Sequence, residues 1–304
     1  MSVPEYTNRK LVVPAELGLS RLKDKSVLIT GGGSGLGLAY AEAFAKAGSF
    51  VTIVDFNKEA GQAAEKALAP NAVFSQCDVR QWDDLVAAFE TAMAKSPCHS
   101  VDVVIANAGV IGRDDLYTLD DPTCPPQKPD LRTVDVNLYG ALYTAKLALH
   151  YFRKHTVSAE RDRCLIIKGS IAAYTDQPGS PLYNVSKYGV RGLFRNLRRT
   201  LHRDDVRINF VAPWYVRTPI LSDKVVEYVT SKGVKFATVA DGVRAMLNIA
   251  ADQSINGRAI AIVPREEAPY GYMDLEHDDY EEGDVLKGWQ ETVLATAQSI
   301  VDMA

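Results

Sequence analysis

Short apolar runs alternate along the chain with longer stretches whose apolar positions recur at helical spacing. Ser26 to Thr30 predicts a first strand, Phe50 to Asp55 a second, Val73 to Gln76 a third and Val101 to Ile105 a fourth. Arg163 to Lys168, Arg207 to Val211 and Arg258 to Val263 predict three more. Between them Leu38 to Ala47, Lys58 to Ala69, Trp82 to Lys95, Leu131 to His155 and Tyr183 to His202 carry helical patterning, the first closing at Gly48. A loop holding Pro122, Pro125, Pro126 and Pro129 cannot be helical throughout. This alternation predicts an α/β fold, a doubly wound, Rossmann-like parallel seven-stranded sheet with helices on both faces and right-handed crossovers.

One domain is expected over residues 21–264, preceded by a segment at 1–20 and followed by a C-terminal extension at 265–304. The extension opens with Tyr270-Gly271-Tyr272-Met273 and an acidic cluster from Glu276 to Glu282, and ends in an amphipathic helix from Val285 to Val301. A disordered acidic tail is one reading of the cluster. The periodic apolar residues favour docking on the same or a neighbouring subunit.

Composition narrows the function classes. The chain has 304 residues, 47% of them hydrophobic, which is ample for a buried core. Its formal charge of −4 offers no basic excess to release phosphate counterions, so neither nucleic acid nor an anionic membrane is an expected partner. The basic run from Arg195 to Arg203 falls on a predicted helix and reads as its solvated face. Cys77, Cys98, Cys124 and Cys164 form neither a CxxC pair nor a zinc spacing with the five histidines, so no metal is expected and a reduced, cytoplasmic protein follows. Residues 1–19 lack the apolar stretch of a signal peptide or membrane span.

Candidate chemistry lies in two distant segments. Thr30-Gly31-Gly32-Gly33-Ser34-Gly35-Leu36-Gly37 sits between a strand and a helix, where glycines permit positive φ and let backbone amides approach a pyrophosphate at the helix's positive end. Asp55 ends the second strand, where a carboxylate can accept both ribose hydroxyls of NAD and repels a 2′-phosphate; Phe56 follows where a basic residue would have favoured NADP. Tyr183 and Lys187 are four apart on one predicted helix, so they share a face. A neighbouring ammonium favours tyrosinate and lowers the phenol's pKa, which suits Tyr183 to general-base work. Ser170, at a strand end, can hydrogen-bond a substrate oxygen as alcohol or carbonyl.

Together these segments resemble the short-chain dehydrogenase/reductase family over roughly Lys25 to Val263. The TGxxxGxG pattern is met by Thr30, Gly31, Gly35 and Gly37, and Asn107-Ala108-Gly109 matches the segment ending the family's fourth strand. The resemblance implies a catalytic tetrad of Asn137, Ser170, Tyr183 and Lys187. It also implies cofactor contacts from Gly31, Gly33, Ser34, Gly35, Leu36, Gly37, Asp55, Phe56, Asp78, Val79, Asn107, Ala108, Gly109, Pro213, Val216 and Thr218, with Asp78-Val79 against adenine. In the family Lys187 would bind the nicotinamide ribose, Asn137 would hold a water, and Thr218 and the Val216 backbone would orient the carboxamide. Trp214 stands where the family usually has glycine. The nearest subset in pattern is the NAD-dependent group resembling 15-hydroxyprostaglandin dehydrogenase and fungal polyketide-alcohol dehydrogenases. Helices Leu131 to His155 and Tyr183 to His202 resemble those that build the family's interfaces, which implies a homodimer or homotetramer.

Candidate substrate walls are Ile171, Tyr174, Gln177, Trp214 and Tyr215, with Ile220 to Phe236 as a lid. Aromatic and apolar walls suit a bulky secondary alcohol or ketone. The expected activity is NAD-dependent hydride transfer on such a substrate. An NADP-linked ketone reductase and a non-catalytic NAD-binding scaffold are the alternatives.

Overall fold

A computed structural model describes residue 3 and residues 5–112, 114, 116, 121–155 and 161–303, with side chains as far as 297. The chain runs β1 (Ser26–Thr30), α1 (Gly35–Lys46), β2 (Phe50–Asp55), α2 (Lys58–Leu68), β3 (Ala72–Gln76), α3 (Trp82–Lys95) and β4 (Val103–Ala106). It continues through α4 (Arg132–Val134), a π-helical turn (Asp135–Tyr139), α5 (Gly140–Phe152), β5 (Arg163–Lys168), α6 (Pro181–Leu197), β6 (Val206–Pro213), α7 (Asp223–Ser231) and α8 (Val239–Ala251). β7 (Ala259–Ile262), β8 (Tyr272–Asp274) and α9 (Val285–Met303) complete it.

The strands form one sheet in the order β3-β2-β1-β4-β5-β6-β7-β8. The first seven pair in parallel, with registers such as Ile29 opposite Ile53 and Ile167 opposite Phe210. Alternate side chains leave a strand on opposite faces, so each strand feeds two cores. Val27, Ile29, Cys164 and Ile166 pack with α1 and α8, whereas Leu28, Leu165 and Ile167 pack with α3, α5 and α6. Burial on both faces explains why the strands read as nearly continuous apolar runs.

The sheet has eight strands rather than seven. Gly271, at φ +74°, turns the extension back, Val263 N–H donates to the Gly271 carbonyl, and Tyr272–Asp274 pairs antiparallel with β7. Glycine at the turn hides this return from a reading based on apolar runs. The long helix expected from Leu131 is interrupted by the π turn and ends at Phe152. α6 starts two residues early because Pro181 occupies its first turn, where the missing N–H costs nothing. α7 and α8 were not foreseen. Thr238 and Asp241 cap α8 reciprocally, the Thr238 hydroxyl accepting from Asp241 N–H at 3.1 Å.

The basic run from Arg195 to Arg203, which starts on α6 and continues past its end, is a solvated face only in part, as at the exposed Arg203. Arg198 is only 2% exposed; it donates to the Asp278 carbonyl at 2.7 Å and to Asp279 Oδ1 at 3.0 Å, while Arg199 donates to Asp279 at 2.9 Å. Arg191 Nε donates to Asp278 Oδ1 at 2.8 Å. The acidic cluster thus lies along the arginines of α6, a charge complementarity between segments eighty residues apart. The N-terminal segment joins it: Tyr6 donates to Asp279, Leu11 N–H donates to Asp274 at 2.8 Å, and Lys10 pairs with Glu276. Among the described residues no helix is long and apolar enough to cross a membrane.

Candidate active site

The turn after β1 is shaped by glycine where geometry requires it. Gly31 and Gly35 hold φ of +64° and +53°, and a Cβ on Gly37 would lie 1.9 Å from the Gly31 carbonyl oxygen. The start of α1 therefore sits directly against the turn. Thr30 Oγ1 accepts from Asn107 N–H at 3.0 Å and Ala108 N–H at 3.1 Å, and Asn107 Nδ2 donates to the Thr30 and Gly31 carbonyls at 2.7 and 3.0 Å. These bonds lock the end of β4 to the turn. Asp55 Oδ2 accepts from Gly33 N–H at 2.8 Å and Oδ1 from Asn57 N–H at 2.9 Å, which fixes the carboxylate at the end of β2.

A cavity of about 820 Å³ opens along the carboxyl ends of the strands, the place where open α/β sheets bind ligands. Asp55, Phe56, Asp78 and Val79 line it at the β2 and β3 side; Gly31, Ser34, Gly35, Leu36, Gly37, Asn107, Ala108 and Gly109 line its middle. Ser170, Tyr183 and Lys187 line the far side, together with Ile171, Gln177, Trp214, Tyr215, Pro213, Val216 and Thr218. Gly33 does not reach it, because its amide is turned to Asp55. The positive-φ turn, the helix N-terminus behind it and the length of the cavity fit a dinucleotide.

Tyr174 is not a wall of this cavity. Its hydroxyl donates to Asp278 Oδ2 at 2.6 Å and its ring lies under Arg191, whose guanidinium carbon is 3.8 Å from the ring centroid. The residue anchors the extension, which a reading of aromatic residues near Ser170 could not distinguish from a substrate contact. The expected lid segment brings Ile220 and Leu221 to the cavity, while Tyr228 on α7 is 64% exposed and does not line it.

Asn137 lies in the π turn and is buried. Its Oδ1 accepts from Val110 N–H at 2.8 Å, and its Nδ2 donates to the Val110 carbonyl at 3.0 Å and Ser186 Oγ at 3.2 Å. A Cβ on Gly109 would come within 3.2 Å of Asn137 Oδ1 and 3.6 Å of Lys187 Nζ, so both side chains converge on that glycine. Lys187 Nζ is 5.5 Å from the centre of the Tyr183 ring. Ser170 Oγ accepts from Ala172 N–H at 3.1 Å, and the Ser170 hydroxyl is close enough to the Tyr183 phenol to influence its pKa. Asp114 Oδ2 accepts from Leu182 N–H at 2.6 Å and pins the start of the helix that carries Tyr183.

The expected lowering of the Tyr183 pKa is not what the structure shows. Burial pushes the phenol up, the Ser170 hydroxyl opposes this, and the nearby Tyr215 adds to it. Lys187 exerts little pull because burial, aided by the charge of Lys168, pushes its own pKa down to about 7. Lys168 itself is pushed down to about 8 by burial. Sequence reading passed over Lys168, although a lysine closing an otherwise apolar strand two residues before Ser170 was the available signal. Arg80 was also missed: it lines the cavity and grips Asp78 through Nε at 2.9 Å and Nη2 at 2.6 Å, which holds that carboxyl below its usual range.

The family profile described as short chain dehydrogenase matches residues 25–228. The chain belongs to the short-chain dehydrogenase family. Among its short-chain dehydrogenase relatives is 5′-hydroxyaverantin dehydrogenase of Dothistroma septosporum, 37% identical over 283 residues, covering 87% of this chain and 90% of the relative. NADP-dependent dehydrogenase M3 of a Phoma species is 33% identical, covering 82% of this chain and 78% of its own. The NADH complex of 3-ketoacyl-(acyl-carrier-protein) reductase from Brucella melitensis superposes with a TM-score of 0.69 at 25% identity, over 79% of this chain and 97% of that one. The short-chain dehydrogenase is thus an oxidoreductase with a nicotinamide site.

Proposed function

We propose that the protein is an NAD-dependent dehydrogenase of a bulky secondary alcohol, with Tyr183 as the group that moves the hydroxyl proton. The observation that carries the reading is one cavity holding Asp55 at one side and Ser170, Tyr183 and Lys187 at the other. When bound, the nicotinamide supplies the hydride acceptor in oxidation and the donor in reduction. Asp55 would hold the adenosine ribose, and the glycine turn with the start of α1 the pyrophosphate. Ser170 Oγ donates to the substrate oxygen and keeps it within reach of Tyr183 Oη. Tyr183 Oη takes the alcohol proton during oxidation and returns it during reduction. Lys187, when protonated, favours the tyrosinate form, and Asn137 holds the backbone of Val110 at the cavity floor. Ile171, Trp214 and Tyr215 form an apolar, aromatic wall that favours a large flat substrate over a small polar one.

The fungal relative named for 5′-hydroxyaverantin is in keeping with that substrate class. The test is NADH formation with a panel of aromatic and aliphatic secondary alcohols, for wild type and Tyr183→Phe. A loss of at least about a hundredfold in kcat for the variant is expected, and equal activity in both would remove Tyr183 from its role. An NADP-linked site is the second reading, favoured by the NADP-dependent relative and by Arg80 at the adenine side of the cavity.

A further inference from the structure

Lys168 closes β5 two residues before Ser170 and lines the same cavity as Lys187. Strand alternation fixes its direction: Cys164 and Ile166 enter the layer of α1 and α8, so Lys168 leaves the sheet on that side. Lys187 approaches from α6, on the opposite side of the sheet. Both lysines thus line the cavity at the strand ends, the charge of Lys168 helps to lower the Lys187 pKa, and among the described residues neither makes a salt bridge. The other ionisable groups lining this side are Tyr183 on α6, Tyr215 after β6, and the exposed Asp176. Asp55 ends β2, three strands from β5, and Asp78 follows β3, one strand further, which separates Asp55 from Lys168 by roughly 14 Å or more.

Lys168 is half-buried at the cavity wall, and a partly desolvated lysine without an acidic partner is costly unless its charge acts on something bound beside it. In the dehydrogenase reading the group that changes charge there is the nicotinamide ring, cationic when oxidised and neutral when reduced. We propose that Lys168 is an electrostatic positioning residue that favours the reduced, neutral nicotinamide over the oxidised, cationic one and so biases the site toward alcohol oxidation. In that direction the alcohol carbon gives up a hydride, with both electrons of its C–H bond, to the ring. Its hydroxyl proton passes to Tyr183 Oη, and the product is a ketone. The proposal rests on the dehydrogenase reading above.

The test is the ratio of Kd for NAD⁺ to Kd for NADH, measured by calorimetric titration of wild type, Lys168→Met and Lys168→Arg. Lys168→Met should lower the ratio about tenfold near neutral pH, the size expected of one unit charge acting at several ångströms in a partly screened site. Lys168→Arg should keep the wild-type ratio and hold it at alkaline pH. In wild type the ratio should fall as pH rises through about 8, where Lys168 loses its proton. A Lys168→Met ratio within about twofold of wild type, with a native circular dichroism spectrum, overturns the proposal. Should Lys168→Met fail to fold, a wild-type ratio that stays constant from about pH 6.5 to about pH 9.5 overturns it instead. Wild type that binds neither NAD⁺ nor NADH defeats the parent reading, which separates the two failures.

Discussion

Replacing Asp55 with serine should convert the coenzyme preference. The carboxylate accepts from Gly33 N–H at 2.8 Å and Asn57 N–H at 2.9 Å, so it cannot rotate away from a ligand bound over the turn. A 2′-phosphate carries about −1.5 charges at neutral pH, and a ribose held by Asp55 would bring it to about 5 Å. Coulomb's law then gives a repulsion of about 1 kcal/mol at the dielectric constant of water and about 5 kcal/mol at an effective value of 20. Wild type is therefore expected to prefer NADH over NADPH by about tenfold to several thousandfold. Serine removes the charge and one ribose acceptor. NADH affinity should fall while NADPH affinity rises, with Arg80 available at the same side of the cavity. Titrations following reduced-coenzyme fluorescence for both coenzymes and both proteins would measure it. Tighter NADPH than NADH binding by wild type, or an unchanged ratio in Asp55→Ser, would refute the reasoning.

Three further outcomes are expected. Asp278→Ala leaves Arg191 and Tyr174 without their shared acceptor, at a cost of about 3 kcal/mol, so for this 304-residue chain Tm should drop by about 5 °C; scanning calorimetry showing no drop would show that the clasp adds nothing. Lys187 has a folded pKa of about 7 against its ordinary 10.5, so the unfolded chain binds more protons between those values and stability rises with pH across that window. Below about pH 7 the penalty is fully present, and Lys187→Met should melt higher than wild type there, with the gap closing as pH rises; a gap that is constant with pH would contradict the buried, depressed lysine. Gly37→Ala places a methyl group 1.9 Å from the Gly31 carbonyl oxygen. It should abolish coenzyme binding, and a variant that binds normally would mean the turn yields.

The parallel sheet was legible because strands buried on both faces must be apolar along their length, as Val27 to Ile29 and Cys164 to Ile167 are. The glycine turn, Asp55 and the Tyr183/Lys187 helix were legible because their spacing encodes backbone geometry directly. The return strand and α8 were not, since a glycine turn and a capping box act through a few residues that carry no periodic signal. Tyr174 shows the limit for side chains: its place near Ser170 in sequence is correct, but Asp278, a hundred and four residues later, decides where its hydroxyl goes. Lys168 shows another. A half-buried charge at a strand end gains meaning only when the fold brings Lys187 to the same cavity.

The eighth strand has a consequence for the protein in crowded solution. β7, Ala259–Ile262, is wholly apolar and buried, and without β8 its backbone would present an open template for pairing with another chain. The cover is three residues long, and Asp274 is held on it by Arg258 at 2.7 Å and by the Leu11 amide at 2.8 Å. A proteolytic nick between Val263 and Tyr272 would therefore endanger more than the far end of the chain: it would loosen the cover and leave a sticky edge, turning a folded protein into a seed for edge-to-edge aggregation.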